Sequence, residues 1–583
     1  MSVLDGIERA VREHSASDAL QAADRTITYR QLGELVDGFA QQLAAGTSPG
    51  EFVGIQASRS LGAIVAMIGA LKASRPFVFI DGRDSASSNS EKVRLLGVRL
   101  LARSSSAEGQ LELGEVAAQW RTSILPPADG SESPRKLPFA DGEICYAVYT
   151  SGSTGEPKCV LVRTAPLASV IQDHVERLAV GPGRTTLQFA RLTFDGCITE
   201  ILWTLTAGAR LVVLDEAQLA PGAVLQSTLE RFGVTHLKTT PFALTVTEPT
   251  RTMRLEHVIN GGGACRLSVI QKWSAVSSFH NAYGLTETTV CNLLSDALDP
   301  ADCRETVPLG DLVGDCGYYI RDLDGSASEV GPPVDGAMAV KVPAGAVRRG
   351  ELVITGNSVA AGYLTERGVQ PFGLTGATSS YRTGDIVELR DGRLHFLERL
   401  DRQVKVRGYR LDPGEIENAV CRLDSVWDAV VAAEAHDGSD SAEQDALVCY
   451  YQGGLDPRSV RQHLEGILDP YKIPSVFTRV DAFAYTPNGK VDRDALRADR
   501  RALDSQDELG SASSQVLHLA RNLTGIGDVE LDDNFFDVGG DSASAVVLVN
   551  KMRELGWVDA GVRDVLRAEN LRALADQLQA RSV

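Results

Sequence analysis

Several kinds of protein are excluded by what this sequence lacks. Its nine cysteines are odd in number, scattered and without a C-x-x-C pair, so neither a disulfide framework nor a zinc site is encoded and reduced thiols are expected. The nine histidines show no metal-ligand spacing. Positive charge is in deficit, 58 Lys and Arg against 77 Asp and Glu for a net charge of −19, which argues against a nucleic-acid or membrane-surface partner, because phosphate backbones are held by basic faces. A locally basic pocket is still compatible with that balance. Long hydrophobic runs are missing too: the most apolar helical stretch, Ile64 to Ala73, is far short of the about 20 residues that span a bilayer. The N-terminal Met1-Ser2-Val3-Leu4-Asp5 has no basic region followed by an apolar run, so no secretory signal is visible. A soluble, cytoplasmic protein is expected.

What is present points to several folding units, since one hydrophobic core rarely grows past about 250–300 residues and the chain has 583. Up to about Leu400, helical periodicity alternates with short apolar runs such as Phe52 to Gln56, Phe77 to Ile80, Arg210 to Leu214 and Val258 to Asn260, which predicts an α/β unit with buried strands. From Asp401 the pattern becomes that of a small α+β unit, with strands over Gln403 to Arg407, Ala429 to Ala433 and Leu447 to Tyr451 and helices over Pro413 to Leu423 and from Pro457. A polar stretch, Arg497 to Ser514, has little to bury and reads as a linker. Beyond it, Val516/Leu519/Ala520/Leu523 and Leu571/Leu574/Ala575/Leu578 repeat at helical spacing and predict a small all-α bundle. The expected boundaries are 1–400, 401–498, a linker over 499–512, and 513–583. There are no internal repeats and no low-complexity tract beyond short serine runs such as Ser85 to Ser90.

Two segments carry the chemistry. Thr150-Ser151-Gly152-Ser153-Thr154-Gly155-Glu156-Pro157-Lys158 follows an apolar strand, Ile144 to Tyr149, and concentrates small and hydroxyl residues whose backbone N–H groups can converge on phosphate oxygens. Its glycine spacing is not that of a Walker loop, and by composition alone it reads equally well as a surface turn. Phe535-Phe536-Asp537-Val538-Gly539-Gly540-Asp541-Ser542 lies near the C-terminus; its serine could be no more than a helix N-cap.

Read with Asn281-Ala282-Tyr283-Gly284-Leu285-Thr286-Glu287-Thr288-Thr289, Gly350-Glu351-Leu352, Tyr381-Arg382-Thr383-Gly384-Asp385, Arg399 to Gly408 and Thr486 to Asp492, these segments resemble the acyl-adenylate-forming superfamily. More narrowly, the chain resembles the adenylation domains of nonribosomal peptide synthetases, fused to a peptidyl carrier protein domain. The resemblance implies a large α/β adenylation core, a mobile α+β subdomain and a four-helix carrier. It implies ATP held by Thr150, Ser151, Gly152, Ser153, Thr154, Gly155, Lys158, Asn281, Tyr283, Gly284 and Thr286, with Asp385 and Arg399 on the ribose. Glu287 would hold Mg²⁺, which offsets charge on the phosphates. Lys490 would place a cation between the substrate carboxylate and the α-phosphate, where charge builds in the transition state. Asp401 matches the hinge about which the Lys490 face is exchanged for the Lys405 to Gly408 face, and Ser542 would carry 4'-phosphopantetheine. The chain departs from the family pattern at Cys159, Leu285, Glu398 and Ala543, none of which removes a catalytic group.

The same resemblance places the acyl pocket at Asp195, Gly196, Thr199, Lys238, Ile259, Gly261, Ala282, Val290 and Cys291, closed by Lys490. Asp195 implies an α-amino acid, because it would pair with the α-ammonium. Lys238, charged and in a pocket, needs a partner to offset lost hydration, and a side-chain carboxylate supplies one unless Lys238 points to solvent. The expected reaction is ATP-dependent activation of an amino acid, L-aspartate first, to aminoacyl-AMP, and its loading as a thioester on the chain's own carrier. Asparagine, a substituted aspartate or another small polar amino acid stands behind aspartate. An acyl-coenzyme A ligase is disfavoured by Asp195 and the carrier, and a non-catalytic scaffold by Lys490, Glu287 and Asp385. No condensation, thioesterase or reductase region is recognised. Expected partners are a phosphopantetheinyl transferase, a downstream tailoring enzyme or condensation domain, and an MbtH-like protein as an open possibility.

Overall fold

The computed structural model describes residues 2–104, 111–115, 137–150, 157–263, 267–303, 306–322, 347–376, 378–400, 403–406, 409–434, 446–483, 491, 496–497, 512–524, 529–538, 540, 542–557 and 559–581. The chain divides into two units. One holds Met1–Thr150, Pro157–Leu219 and Ala223–Asp401, and the other carries Arg402–Val583.

Short apolar runs become strands in the first unit because they are buried on both faces, as parallel strands covered by helices must be. Phe77–Ile80 is buried along its whole length and Val53–Gln56 over all but its last residue. They pair in parallel, and Phe77–Ile80 also runs parallel to Ile144–Thr150. Ile144–Thr150 then turns back into the antiparallel strand Lys158–Arg163, with Thr150 opposite Lys158. The phosphate-loop candidate is therefore the connection between two central strands. The helix Leu61–Lys72, which contains most of the apolar Ile64 to Ala73 stretch, is buried from Gly62 to Ala70. A helix apolar all round belongs inside a core, and among the described residues no helix is long and apolar enough to cross a membrane.

A second sheet sets the pocket. Ser278–Tyr283, His257–Asn260, His236–Thr239 and Thr185–Leu187 run parallel side by side. Their register puts Lys238 beside Ile259, and Thr239, Asn260 and Asn281 in one row. The helix Gly196–Thr206 lies in the same unit, buried from Cys197 to its end.

Residues 316–399 differ from the expected α/β alternation. Cys316–Arg321, Arg348–Gly356, Thr378–Arg390, Gly373–Thr375 and Arg393–Arg399 form a wholly antiparallel sheet. Their stretches carry many polar residues, so no continuous apolar run marks them. One register pair matters below: Asp385 sits directly opposite Arg399.

In the second unit, the ribbon Val404–Val406/Tyr409–Leu411 and the sheet Val426–Glu434, Ala446–Gly453 and Val476–Arg479 go with helices Pro413–Val420 and Pro457–Glu465. Proline opens both helices after an aspartate cap, the favoured start since the first N–H groups have no intrahelical partner. Further on, helices Ala512–Thr524, Ser542–Glu554, Val562–Arg567 and Leu571–Arg581 enclose one apolar cluster containing all eight stripe residues from Val516 to Leu578, together with Phe535, Leu548 and Met552.

Candidate active site

The nucleotide side of the first unit is built on the antiparallel sheet. Asp385 is 2% exposed, its backbone N–H bonded to the Thr383 hydroxyl, which donates in turn to Leu352 O. One carboxylate oxygen accepts from Tyr283 Oη at 2.5 Å and the other from the Arg399 guanidinium. Each carboxylate oxygen offers about two lone pairs, so both retain capacity for ribose hydroxyls. Gly284 follows Tyr283 at a point where a Cβ would strike Val290 O and Cys291 Cα; only glycine admits that approach. Asn281 is fixed between Asn260, which donates to its Oδ1 at 2.9 Å, and Pro308 O, to which its Nδ2 donates at 3.0 Å.

Glu287, 1% exposed, lies in the 3₁₀ turn Thr286–Thr288 and accepts from Tyr363 Oη at 2.9 Å. Lys158 Nζ stands 5.2 Å above the same Tyr363 ring, so tyrosine links the cation at the loop's end to the acid. Among the described residues no three His, Cys, Asp or Glu side chains converge as a metal cage. That fits Mg²⁺ nonetheless, because this ion is commonly held by one or two carboxylates plus substrate phosphates. Thr150 contributes a buried hydroxyl without a partner. Cys159, where the family has glycine, is fully buried in the strand and packs among Leu161, Ala147 and Leu364, so the departure fills core.

The acyl side is organised by the helix Gly196–Thr206. Asp195 precedes it without capping it, and its Oδ2 is buried with no hydrogen-bond partner. Burial pushes the Asp195 carboxyl above the usual range, the Thr286 hydroxyl and Lys238 pull it back, and Glu287 adds to the rise. A buried carboxylate oxygen left unpaired is costly, and an incoming ammonium would satisfy it. Lys238 Nζ donates to Thr199 Oγ1 at 2.8 Å and lies 5.8 Å from the Trp203 ring; its stem passes Gly261, where a Cβ would meet Cε at 3.4 Å. Ile259 and Cys291 are buried in one apolar cluster, with Ala282 and Val290 packed against it. Thr289 and Val290 both sit in the left-handed region, at φ 63° and 67°, a strained conformation for β-branched residues that is typical of functional sites. Lys238 is thus turned toward Thr199, Trp203 and Gly261.

Asp401, Ser151 to Gly155 and Lys490 lie outside the described residues. Lys405 is in the ribbon strand Val404–Val406. Ser542 is the first residue of its helix, a position whose backbone N–H groups have no intrahelical partner, and Gly540 two residues before it has room for no Cβ, which would run into the Phe535 ring and carbonyl. That packing fits a phosphopantetheine attachment turn. Sequence reasoning missed Tyr363, Trp203, Arg59 and Glu200. For Glu200 the signal was there: a lone carboxylate in an otherwise apolar helix. It is wholly buried and pushed up to about 7 by burial, against the charge of Lys238 and hydrogen bonds. A separate cavity of about 340 Å³, lined by Arg59, Asp81, Arg83 and Glu216 among others, contains none of the site residues expected from the sequence.

Comparison with known proteins agrees with this geometry. The AMP-binding enzyme family matches residues 7–364 and the phosphopantetheine attachment site family residues 514–578. Novobiocin biosynthesis protein H of Streptomyces niveus is 31% identical over 94% of this chain and 91% of its own length. Bacitracin synthase 3 of Bacillus licheniformis is 31% identical over 96% of this chain, which spans only 9% of that relative. In fold, the chain is similar to a holo nonribosomal peptide synthetase protein containing adenylation and carrier domains, solved with a vinylsulfonamide inhibitor: TM-score 0.77, 24% identity, covering 99% of this chain and 96% of that one. The fold and the two matches define an ATP-dependent adenylating enzyme joined to a carrier. The chain belongs to the AMP-binding enzyme family, in its nonribosomal peptide synthetase branch.

Proposed function

We propose that this enzyme activates L-aspartate with ATP and loads it onto its own carrier at Ser542. The observation that carries the substrate is a pair of complementary charges close enough to act on each other: the unpartnered Oδ2 of Asp195 for the α-ammonium and the Lys238 ammonium, tied down to Thr199, for the side-chain carboxylate. Asp385 and Arg399 hold the ribose, the loop ending at Lys158 cradles the phosphates, and Lys490 stabilises the charge that develops as the carboxylate attacks the α-phosphate. Mg²⁺ on Glu287 offsets phosphate charge, and phosphopantetheine, once attached to Ser542, supplies a thiol on a long arm. Asp401 serves as hinge, and the Lys405 face replaces the Lys490 face for loading. The functional boundaries are 1–400, 401–498 and 513–583. A phosphopantetheinyl transferase must install the arm, and a tailoring enzyme or condensation domain must take the amino acid on; an MbtH-like protein is an optional partner. The free thiols of the described cysteines suit a reducing cytoplasm.

A second reading, a neutral small polar amino acid such as asparagine, is favoured by one fact: Lys238 already feels two carboxylates, Asp195 and Glu200. Lys238→Ala decides between them. Aspartate should lose about 3–5 kcal/mol of transition-state binding in a dry site, whereas asparagine loses only a neutral hydrogen bond of about 0.5–1.5 kcal/mol. The measurement is kcat/KM in pyrophosphate exchange for both amino acids on both proteins. An unchanged ratio, or wild-type preference for asparagine, overturns aspartate and leaves adenylation standing.

A further inference from the structure

We propose that Glu200 and Arg59 are positioning residues that clamp the segment Gln188 to Ala190 from both sides and thereby fix the carboxylate of Asp195 where it meets the substrate ammonium. The proposal rests on Asp195 being the ammonium's partner, as in the reading above.

The clamp is made of hydrogen bonds from both sides, six of which meet the peptides and side chain of Gln188 to Ala190. Glu200 Oε2 accepts from Phe189 N at 3.0 Å, Ala190 N at 3.2 Å and Gln188 Nε2 at 3.2 Å. Arg59 takes the opposite side of the same peptides, donating to Gln188 O at 3.1 Å, Gln188 Oε1 at 2.9 Å and Phe189 O at 2.5 Å. Gln188 and Glu200 are both fully buried. Donors and acceptors that would otherwise be stranded in the core are thus satisfied by one acid and one base, neither of which can leave without orphaning several groups.

From this clamp the chain reaches Asp195 in five residues. Phe194 N donates to Arg191 O, Cys197 Sγ to Leu192 O, and Ile198 N to Asp195 O, so the segment is folded tightly under the start of the helix Gly196–Thr206. Glu200 is on that helix itself. The acid therefore ties the helix that begins at Asp195 to the strand end that leads into it, while its neighbour Thr199 anchors Lys238. A shift of Asp195 by a fraction of an ångström requires this tie to give. The Lys238 charge also acts on Glu200, but the part of Glu200 is to position Asp195 through the segment.

The test uses the full-length enzyme in pyrophosphate exchange, with KM for amino acid and for ATP measured separately. Glu200→Ala should raise the amino-acid KM about tenfold or more, as expected when buried donors lose their acceptor, while the ATP KM stays put. Glu200→Gln should recover most of the loss, because one amide oxygen at the Oε2 position can accept the same three donors. Arg59→Lys, which cannot reproduce the forked contacts, should also raise the amino-acid KM alone and provides the reading should Glu200→Ala fail to fold. In an Asp195→Asn background the further cost of Glu200→Ala should vanish, since coupled residues do not add. Multiplying effects, or equal rises in both KM values, overturn the clamp. If Asp195→Asn raises the amino-acid KM and Glu200→Ala does not, the clamp alone fails. If Asp195→Asn itself changes nothing, the ammonium reading of Asp195 fails first and takes the clamp with it.

Discussion

At the scale of single residues, the proposed nucleotide site depends on a buried acid held by two partners. Tyr283 donates to one Asp385 oxygen and Arg399 to the other, so the carboxylate is oriented before any ribose arrives. Tyr283→Phe keeps the ring and removes one hydrogen bond to a charged acceptor, worth about 1.5–3 kcal/mol. The expected outcome is a rise of about tenfold or more in the ATP KM, with little change for the amino acid; steady-state exchange kinetics check it, and a rise for the amino acid instead would separate Asp385 from the nucleotide. This residue was legible in the sequence because its motif is long. Tyr363 and Arg59 were not, since each acts through a partner far along the chain: Tyr363 meets Glu287 and Arg59 meets Gln188. Pairings of that kind are decided by packing, which leaves no periodic trace.

Among elements, legibility followed burial. Parallel strands such as Phe77–Ile80 declare themselves as apolar runs, and the helix stripes of the carrier declare themselves by period. The antiparallel sheet over 316–399 does not, because a strand such as Thr378–Arg390 mixes arginine, aspartate and threonine with its buried positions; its register is set by cross-strand pairs rather than by a run. The second sheet also holds an unforeseen feature. His236, His257 and His280 stack on three adjacent strands, with ring centroids 5.1 and 5.2 Å apart. Burial lowers His236 and His257 to about 4 and His280 below its ordinary value, and buried His174 falls to about 3. A histidine depressed in the folded state contributes stability that is full above its unfolded pKa of 6.5 and is lost as pH falls from there toward the folded value. Glu200, raised from 4.5 to about 7, and the raised Asp195 and Asp173 work in the opposite direction, but with His395 also lowered the five rings outweigh these three acids. Denaturant unfolding of the first unit should therefore weaken between about pH 7 and pH 5.5, at about 1.4 kcal/mol for each pKa unit of depression realised. A flat or rising stability over that window would contradict the buried, neutral ladder. In the carrier, Gly540→Ala forces a methyl against Phe535, an overpacking that typically costs about 1–3 kcal/mol. Its melting transition should drop and its conversion to the pantetheinylated form should slow; an unchanged rate and melting transition would mean the close approach is not needed.

For the whole molecule, two chemistries meet in one chain: an adenylating unit, matched over residues 7–364, and a carrier whose serine opens a helix. The domain order was readable because motifs for both appear in sequence and each domain has its own periodicity. For the proposed substrate the sequence offered only the two charges Asp195 and Lys238, and the neighbours that hold each, such as Thr199 on Lys238, had to come from the fold. The most direct measurement is the mass of the intact chain after incubation with a phosphopantetheinyl transferase, coenzyme A, ATP, Mg²⁺ and pooled amino acids, run beside Ser542→Ala. The account predicts one phosphopantetheine plus one aspartyl increment on the wild type, and neither on Ser542→Ala, which should still catalyse amino-acid-dependent pyrophosphate exchange. A pantetheine increment on Ser542→Ala, or a wild-type carrier that takes the arm and never an amino acid, would contradict it.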